Sequence, residues 1–192
     1  MEFRRGFKAE ANRIALRVRA QMRLSPIAPI DPAAICDHFD IKLLRLSDID
    51  RRSVFLGTNN SSFSAVTVPC GFHTAIVHND SHHPHRQRSN ICHELAHCFL
   101  GHKCTPPLMD NGERAHDGGI EAEAHHLAGV LLIPNEAARH IVSNGLVTQA
   151  QGIYGVSSAM LTYRLRISGA HKIHERRMQN MRDTEGNRRQ AG

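Results

Sequence analysis

The chain has 192 residues, of which 41% are hydrophobic, and this fits one compact domain better than two. It contains no apolar run of about 18 residues, so we expect no membrane-spanning helix. The formal net charge of +6 is compatible with contact to nucleic acid or to a protein bound to it. We predict a single domain over residues 1–170 and a charged, flexible tail over residues 171–192.

The first residues and the cysteines predict the compartment. Residues 1–5 lead into a charged amphipathic segment without the apolar region of a secretory signal, which predicts a cytoplasmic protein. The five cysteines form no C-x-x-C pair, and an odd number spread in this way is typical of reduced thiols. Cys98, His102 and Cys104 could form a second metal site, but we rank free thiols above that reading.

The first third of the chain predicts two helices and a small sheet. Residues 7–24 carry apolar side chains at helical spacing, and Asp31-Pro32 offers a cap and a first-turn proline for a short helix. Short strands are predicted at 41–46, 53–56, 63–68 and 74–77. A small, mostly antiparallel sheet packed on a helical core, with additional helices at the C-terminal end, defines an α+β fold.

An H-E-x-x-H run from His93 to His97 lies on a predicted helix over residues 86–100. Side chains four residues apart lie on one face of a helix, so both histidines can bind one zinc ion. The carboxylate of Glu94 can then take a proton from the activated water that is the fourth ligand, which is the role of a general base. This motif indicates a hydrolytic metal site.

A catalytic zinc site also needs a third protein ligand. We expect this ligand in the segment 120–134, because the segment has helical periodicity and acidic residues in its first turn. Short helices follow at 135–142, 146–154 and 157–169. The turn at Gly155 invites a helix-turn-helix reading, but their apolar residues favour helices that pack beneath the active site.

At these two helices the sequence resembles the ImmA/IrrE-type metallopeptidases, which pair an H-E-x-x-H helix with a later E-A-N-x-F-A-x-x-L-L-M-P helix. The resemblance extends over residues 8–170 or so. It places Glu123, followed by Ala124, at the family's third zinc ligand, and His125 where the family has Asn. In such enzymes an edge strand holds the substrate backbone, and 63–68 or 74–77 are the candidates.

The resemblance implies a zinc-dependent endopeptidase, with one Zn²⁺ held by His93, His97 and Glu123, and with Glu94 as the general base. Relatives typically act on helix-turn-helix transcriptional repressors, so the expected partner is such a repressor. The alternative is a non-proteolytic regulator that binds a repressor or DNA and uses zinc structurally. Glu94 favours the enzyme, because a structural site needs no carboxylate there.

Two tyrosines and several histidines are further candidates for a role near the metal. Tyr154 or Tyr163 could donate a hydrogen bond to the oxyanion, although a structural role is the expected one for each. For His125 and His126 we expect one packed and one surface histidine, not zinc ligands. The histidine-rich run 82–85 is expected to be a solvated loop with adventitious metal affinity.

Overall fold

The computed structural model describes residues 3–57, 62–71, 73–102 and 118–190. Cys104 lies outside these ranges, and no disulfide joins the four cysteines within them. The elements, in chain order, are α1 (Phe7–Gln21), α2 (Pro32–His38), β1 (Ile41–Arg45), α3 (Leu46–Ile49), β2 (Ala65–Cys70), β3 (His73–His78), α4 (Pro84–Leu100), α5 (Gly118–Leu132), α6 (Asn135–Ser143), α7 (Ala150–Tyr154), α8 (Ser158–Ser168) and α9 (Ala170–Gln190). The predicted α+β class is confirmed: a three-stranded sheet packs against a helical body.

The sheet has the strand order β1-β3-β2 and is mixed. β1 pairs with β3 in parallel, and β2 pairs with β3 antiparallel, with Thr67 opposite Ile76. β3 is therefore the central strand, and its Ala75 and Ile76 are buried. β2 lies at an edge and carries Pro69, a residue that edge strands tolerate because one side of the strand needs no ladder donor.

The strand predicted at 53–56 is wrong, because the chain turns there. The hydroxyl of Ser53 accepts a hydrogen bond from the backbone of Phe55, whose carbonyl accepts one from the side-chain amide of Asn79. Buried Asn79 also donates to the carbonyl of Phe63. These hydrogen bonds with side chains satisfy backbone groups that, in a strand, would pair with a neighbouring strand.

Local signals set the limits of α4, the helix that carries the H-E-x-x-H run. The His83 ring caps its start by accepting from the His85 amide, Pro84 occupies the first turn, and Gly101 ends it with a φ of 66°. Four residues bury its inner face against the core: Ile91, Cys92, Leu95 and Ala96.

α5 packs against α4 and is buried almost throughout from Ala122 onward. Two buried arginines donate hydrogen bonds to carbonyl groups at the C-terminal end of this helix. Nε of Arg164 donates to the carbonyl of Ile133 at 2.8 Å, and an Nη atom of Arg19 donates to the carbonyl of Leu132 at 3.4 Å. A Cβ at Gly129 would lie 2.9 Å from Cδ of Arg164. Glycine is needed there because the arginine stem crosses directly over the helix.

The C-terminal helices pack onto the same body, as predicted in preference to a helix-turn-helix. Val156, Met160, Leu161 and Leu165 are buried in the shared core. Residues 170–190 form α9, which covers most of the segment for which the sequence predicts a charged, flexible tail. The segment lacks proline and has an i,i+4 hydrogen bond from Gln179 to Asp183, both of which favour a helix. In the described part of the chain, no helix is both long and apolar enough to cross a membrane.

Candidate metal centre

Three side chains from α4 and α5 bring their ligand atoms together. Nε2 of His97 lies 3.1 Å from Nε2 of His93, and the two carboxylate oxygens of Glu121 lie 3.2 Å from His93 and 3.5 Å from His97. With tetrahedral angles and bonds of about 2.0–2.1 Å, two ligands of one zinc ion are roughly 3.3 Å apart. The His93–His97 spacing is close to this value, the two Glu121 distances involve different oxygens of one carboxylate, and the three side chains can together hold one metal ion.

The cluster favours the neutral imidazole that binds a metal. Burial, with a smaller effect from the charge of His93, lowers the pKa of His97 to about 4. The other ring nitrogen of His97, Nδ1, lies 3.0 Å from Nδ1 of His102. Each histidine of the pair thus has one nitrogen toward the cluster, and the second nitrogen of His97 has a partner, as is common for metal-binding histidines.

The side chain of Glu94, the predicted general base, reaches from α4 to β2. Thr67 on β2 donates from Oγ1 to Oε2 of Glu94 at 2.6 Å. Burial raises the pKa of the Glu94 carboxyl, the Thr67 bond and the neighbouring His93 lower it, and the charge of Glu121 raises it. One carboxylate oxygen is thereby fixed by β2, and a carboxylate has capacity for a further donor on the other.

The sequence named Glu123 as the third ligand, and the structure places Glu123 elsewhere. Its two carboxylate oxygens accept from Nε of Arg4 at 3.0 and 3.2 Å, and Arg4 also pairs with Glu10. Among the described residues, the group able to hold a metal ion consists of His93, His97 and Glu121. Glu121 stands in the same acidic first turn of α5 and was not singled out by the sequence.

The hydroxyls of the two tyrosines have partners other than the side chains of the cluster. The hydroxyl of Tyr154 donates to the carbonyl of Ile27 at 2.8 Å, in a buried position. The hydroxyl of Tyr163 lies 2.8 Å from Nδ1 of His126, which is buried against aromatic rings. His125 is exposed. The pair at 125 and 126 is thus one surface and one packed histidine.

The histidine-rich run at the start of α4 forms no metal-binding group within the described residues. His82 is buried, with its Nδ1 near the amide of Asn90, while the ring of His83 serves as the helix cap. The sequence predicted a solvated loop here. His82 differs from that prediction because its ring is buried beside Asn90 of α4.

A cleft of about 880 Å³ opens beside the cluster, between α4, α5 and α8. His93 stands on its wall, and seven residues earlier on α4 Arg86 lines it as well. Across from them lie His125 of α5 and Met160 and Tyr163 of α8. This volume is in the range of sites that bind small ligands or several residues of a peptide.

Two histidines one turn apart on a helix, a facing carboxylate from a second helix and an adjacent glutamate define the H-E-x-x-H class of metal-dependent hydrolase sites. The family comparison agrees: the Peptidase_M78 model, described as the IrrE N-terminal-like domain, matches residues 36–166. The match spans more than half of the chain, which therefore belongs to this metallopeptidase family. The predicted ImmA/IrrE resemblance is confirmed.

A search of the curated proteins found no match. Among solved structures, a Mycobacterium tuberculosis transcriptional regulator superposes with a TM-score of 0.48 at 11% sequence identity. The alignment covers 84% of this chain and 47% of that one, so the chain spans about half the length of the regulator.

Proposed function

We propose that the protein is a zinc-dependent endopeptidase in which His93, His97 and Glu121 hold the ion and Glu94 is the general base. The observation that carries the proposal is the set of ligand spacings, 3.1, 3.2 and 3.5 Å, with Glu94 next to one ligand along α4. Membership of a metallopeptidase family supports it. Three protein ligands leave a position for water, which a structural zinc site usually lacks.

Bound zinc would supply Lewis-acid polarisation of the peptide carbonyl and lower the pKa of the attacking water. Glu94 would take the proton from that water and return it to the leaving amine. Thr67 would hold one oxygen of the Glu94 carboxylate, so the other faces the water in a fixed direction. Because Thr67 belongs to the edge strand β2, a substrate that adds to this edge would lie beside the base.

The proposed substrate is a helix-turn-helix transcriptional repressor, cleaved at a specific site. This rests on the typical substrates of the family, which the sequence resembles over most of its length. A narrow specificity agrees with a substrate held as an added strand, because main-chain bonds fix its register and the cleft can then read particular side chains. A repressor substrate would place the reaction in the cytoplasm.

The test compares newly formed protein N-termini in host cells that express the wild-type chain or Glu94→Gln at matched levels. Glu94→Gln keeps the size of the side chain and removes the base, so zinc content should be unchanged and cleavage should stop. N-termini found with the wild type alone, inside a repressor, are the expected result. The same set of protein N-termini in both cultures, with both proteins folded and zinc-loaded, would contradict the proposal.

The alternative is a regulator that binds a repressor or DNA without cleaving it. It predicts DNA binding with a steep salt dependence that Glu94→Gln leaves unchanged. Both proteins from the first experiment serve for this measurement, so one pair of samples separates the two functions. Salt-dependent DNA binding together with equal N-termini would favour the regulator.

A further inference from the structure

The cleft beside the metal cluster has one permanently charged side chain on its wall, the guanidinium of Arg86, among the described residues. Arg86 lines it together with His83 and His85, and within the described part of the chain no carboxylate does. Arg86 is exposed, and its Nη2 donates to a neutral group, Oγ of Ser64, at 3.2 Å. The first turns of α4 and α8 also line the cleft, and the positive ends of helix dipoles add to the same potential.

Arg86 lies on α4 on the N-terminal side of Glu94, the proposed general base. Arg86 contacts Ser64 immediately before β2, and Glu94 contacts Thr67 within β2, so strand and helix run side by side in one direction. Eight residues of helix separate Arg86 from Glu94, a rise of about 12 Å. An extended peptide covers this distance in three or four residues, at about 3.3 Å each.

We propose that this cleft selects substrates with an acidic side chain, Asp or Glu, placed three or four residues from the cleaved bond and paired with Arg86. The inference rests on the proposed endopeptidase and deepens it, because it names what the cleft recognises. The contact is partly exposed, so its contribution is moderate. A guanidinium suits a carboxylate because its donors form a planar fork.

The experiment digests a library of peptides from a host-cell proteome with purified, zinc-loaded protein and sequences the products. Wild type should cleave peptides with Asp or Glu at the third or fourth position from the cut about threefold or more above the library background. Arg86→Glu should reverse this to a preference for Lys or Arg, and Arg86→Gln should remove it. Arg17→Glu changes the net charge as Arg86→Glu does, on an exposed face of α1, and should behave as wild type.

The outcomes separate the inference from the function. Cleavage that depends on Glu94 but shows no acidic preference, or a preference that Arg86→Glu and Arg86→Gln leave unchanged, overturns the inference and leaves the endopeptidase standing. Zinc-loaded wild type that cuts no peptide overturns the inference, and it also removes the endopeptidase when the wild-type and Glu94→Gln cultures show the same N-termini. An acidic preference lost equally in Arg17→Glu would also overturn it, since the effect would then belong to net charge.

Discussion

Nδ1 of His102 lies 3.0 Å from Nδ1 of His97, on the side of the His97 ring opposite the metal cluster. One of these nitrogens must donate and the other accept. When His97 donates, its proton is on Nδ1 and the lone pair of Nε2 is directed at His93 and Glu121. A His102 ring that accepts this proton would hold both the tautomer and the orientation of a proposed zinc ligand.

His102→Ala should weaken zinc binding by roughly 10–100-fold, the usual effect of removing the outer partner of a ligand histidine. His102→Gln keeps an acceptor and should recover part of the affinity. Zinc affinity is measured by competition with a chelating dye, and His171→Ala, an exposed histidine of α9, is the control. Wild-type affinity in His102→Ala would show that the ring contact has no role in metal binding.

Glu121→Gln and Glu123→Gln distinguish the two candidates for the third ligand. We expect Glu121→Gln to reduce zinc affinity by more than the roughly 100-fold attributed to an outer partner. Glu123→Gln should keep its zinc, because the Glu123 carboxylate is bound by Arg4. The reverse result would restore the ligand that the sequence resemblance named.

The sequence could predict His93, Glu94 and His97 because their arrangement is local. Residues four apart on a helix share a face whatever else the chain does. The helix limits were also local, set by Pro84 and by Gly101 in a left-handed conformation. Helices and strands along most of the chain were predicted correctly for the same reason, because their sequence signals are local.

The place of Glu121 beside the two histidines could not be predicted, because it depends on how two distant helices pack. Glu121 and Glu123 are two residues apart, so they point about 200° from each other around α5. Which of them meets α4 is decided by the rotation of α5, and Arg4, far away in sequence, holds Glu123 on the other side. Likewise, the turns at 53–56 depend on Asn79, a partner that no local pattern reveals.

Thr67→Val should lower kcat about tenfold while zinc affinity stays at the wild-type value. The substitution keeps the shape of the side chain and removes the donor to Glu94, so the base loses its orientation but the ligands do not. Thr67→Ser retains the hydroxyl and should be close to wild type. The assay uses a peptide identified in the library digest, and an unchanged kcat in Thr67→Val would show that the base is held in place without Thr67.

His126 should make the folded state less stable below neutral pH. Burial, above all, lowers its pKa to about 4 in the folded protein, against about 6.5 in an unfolded chain. Between these values the unfolded chain binds more protons, so the free energy of unfolding falls as the pH falls, by up to about 1.4 kcal/mol per pH unit from this group. The contribution is complete above pH 6.5 or so and is lost by about pH 4.

Urea unfolding of the metal-free protein at pH 7, 6 and 5 measures this dependence, since a chelator removes the pH dependence of metal binding itself. His126→Gln can still accept from the Tyr163 hydroxyl, and it should be less sensitive to acid than the wild type although less stable at pH 7. His171→Gln, at an exposed position, should keep the wild-type slope. If His126→Gln keeps that slope too, the acid sensitivity arises from other groups, and the His126 ring does not remain neutral through this pH range.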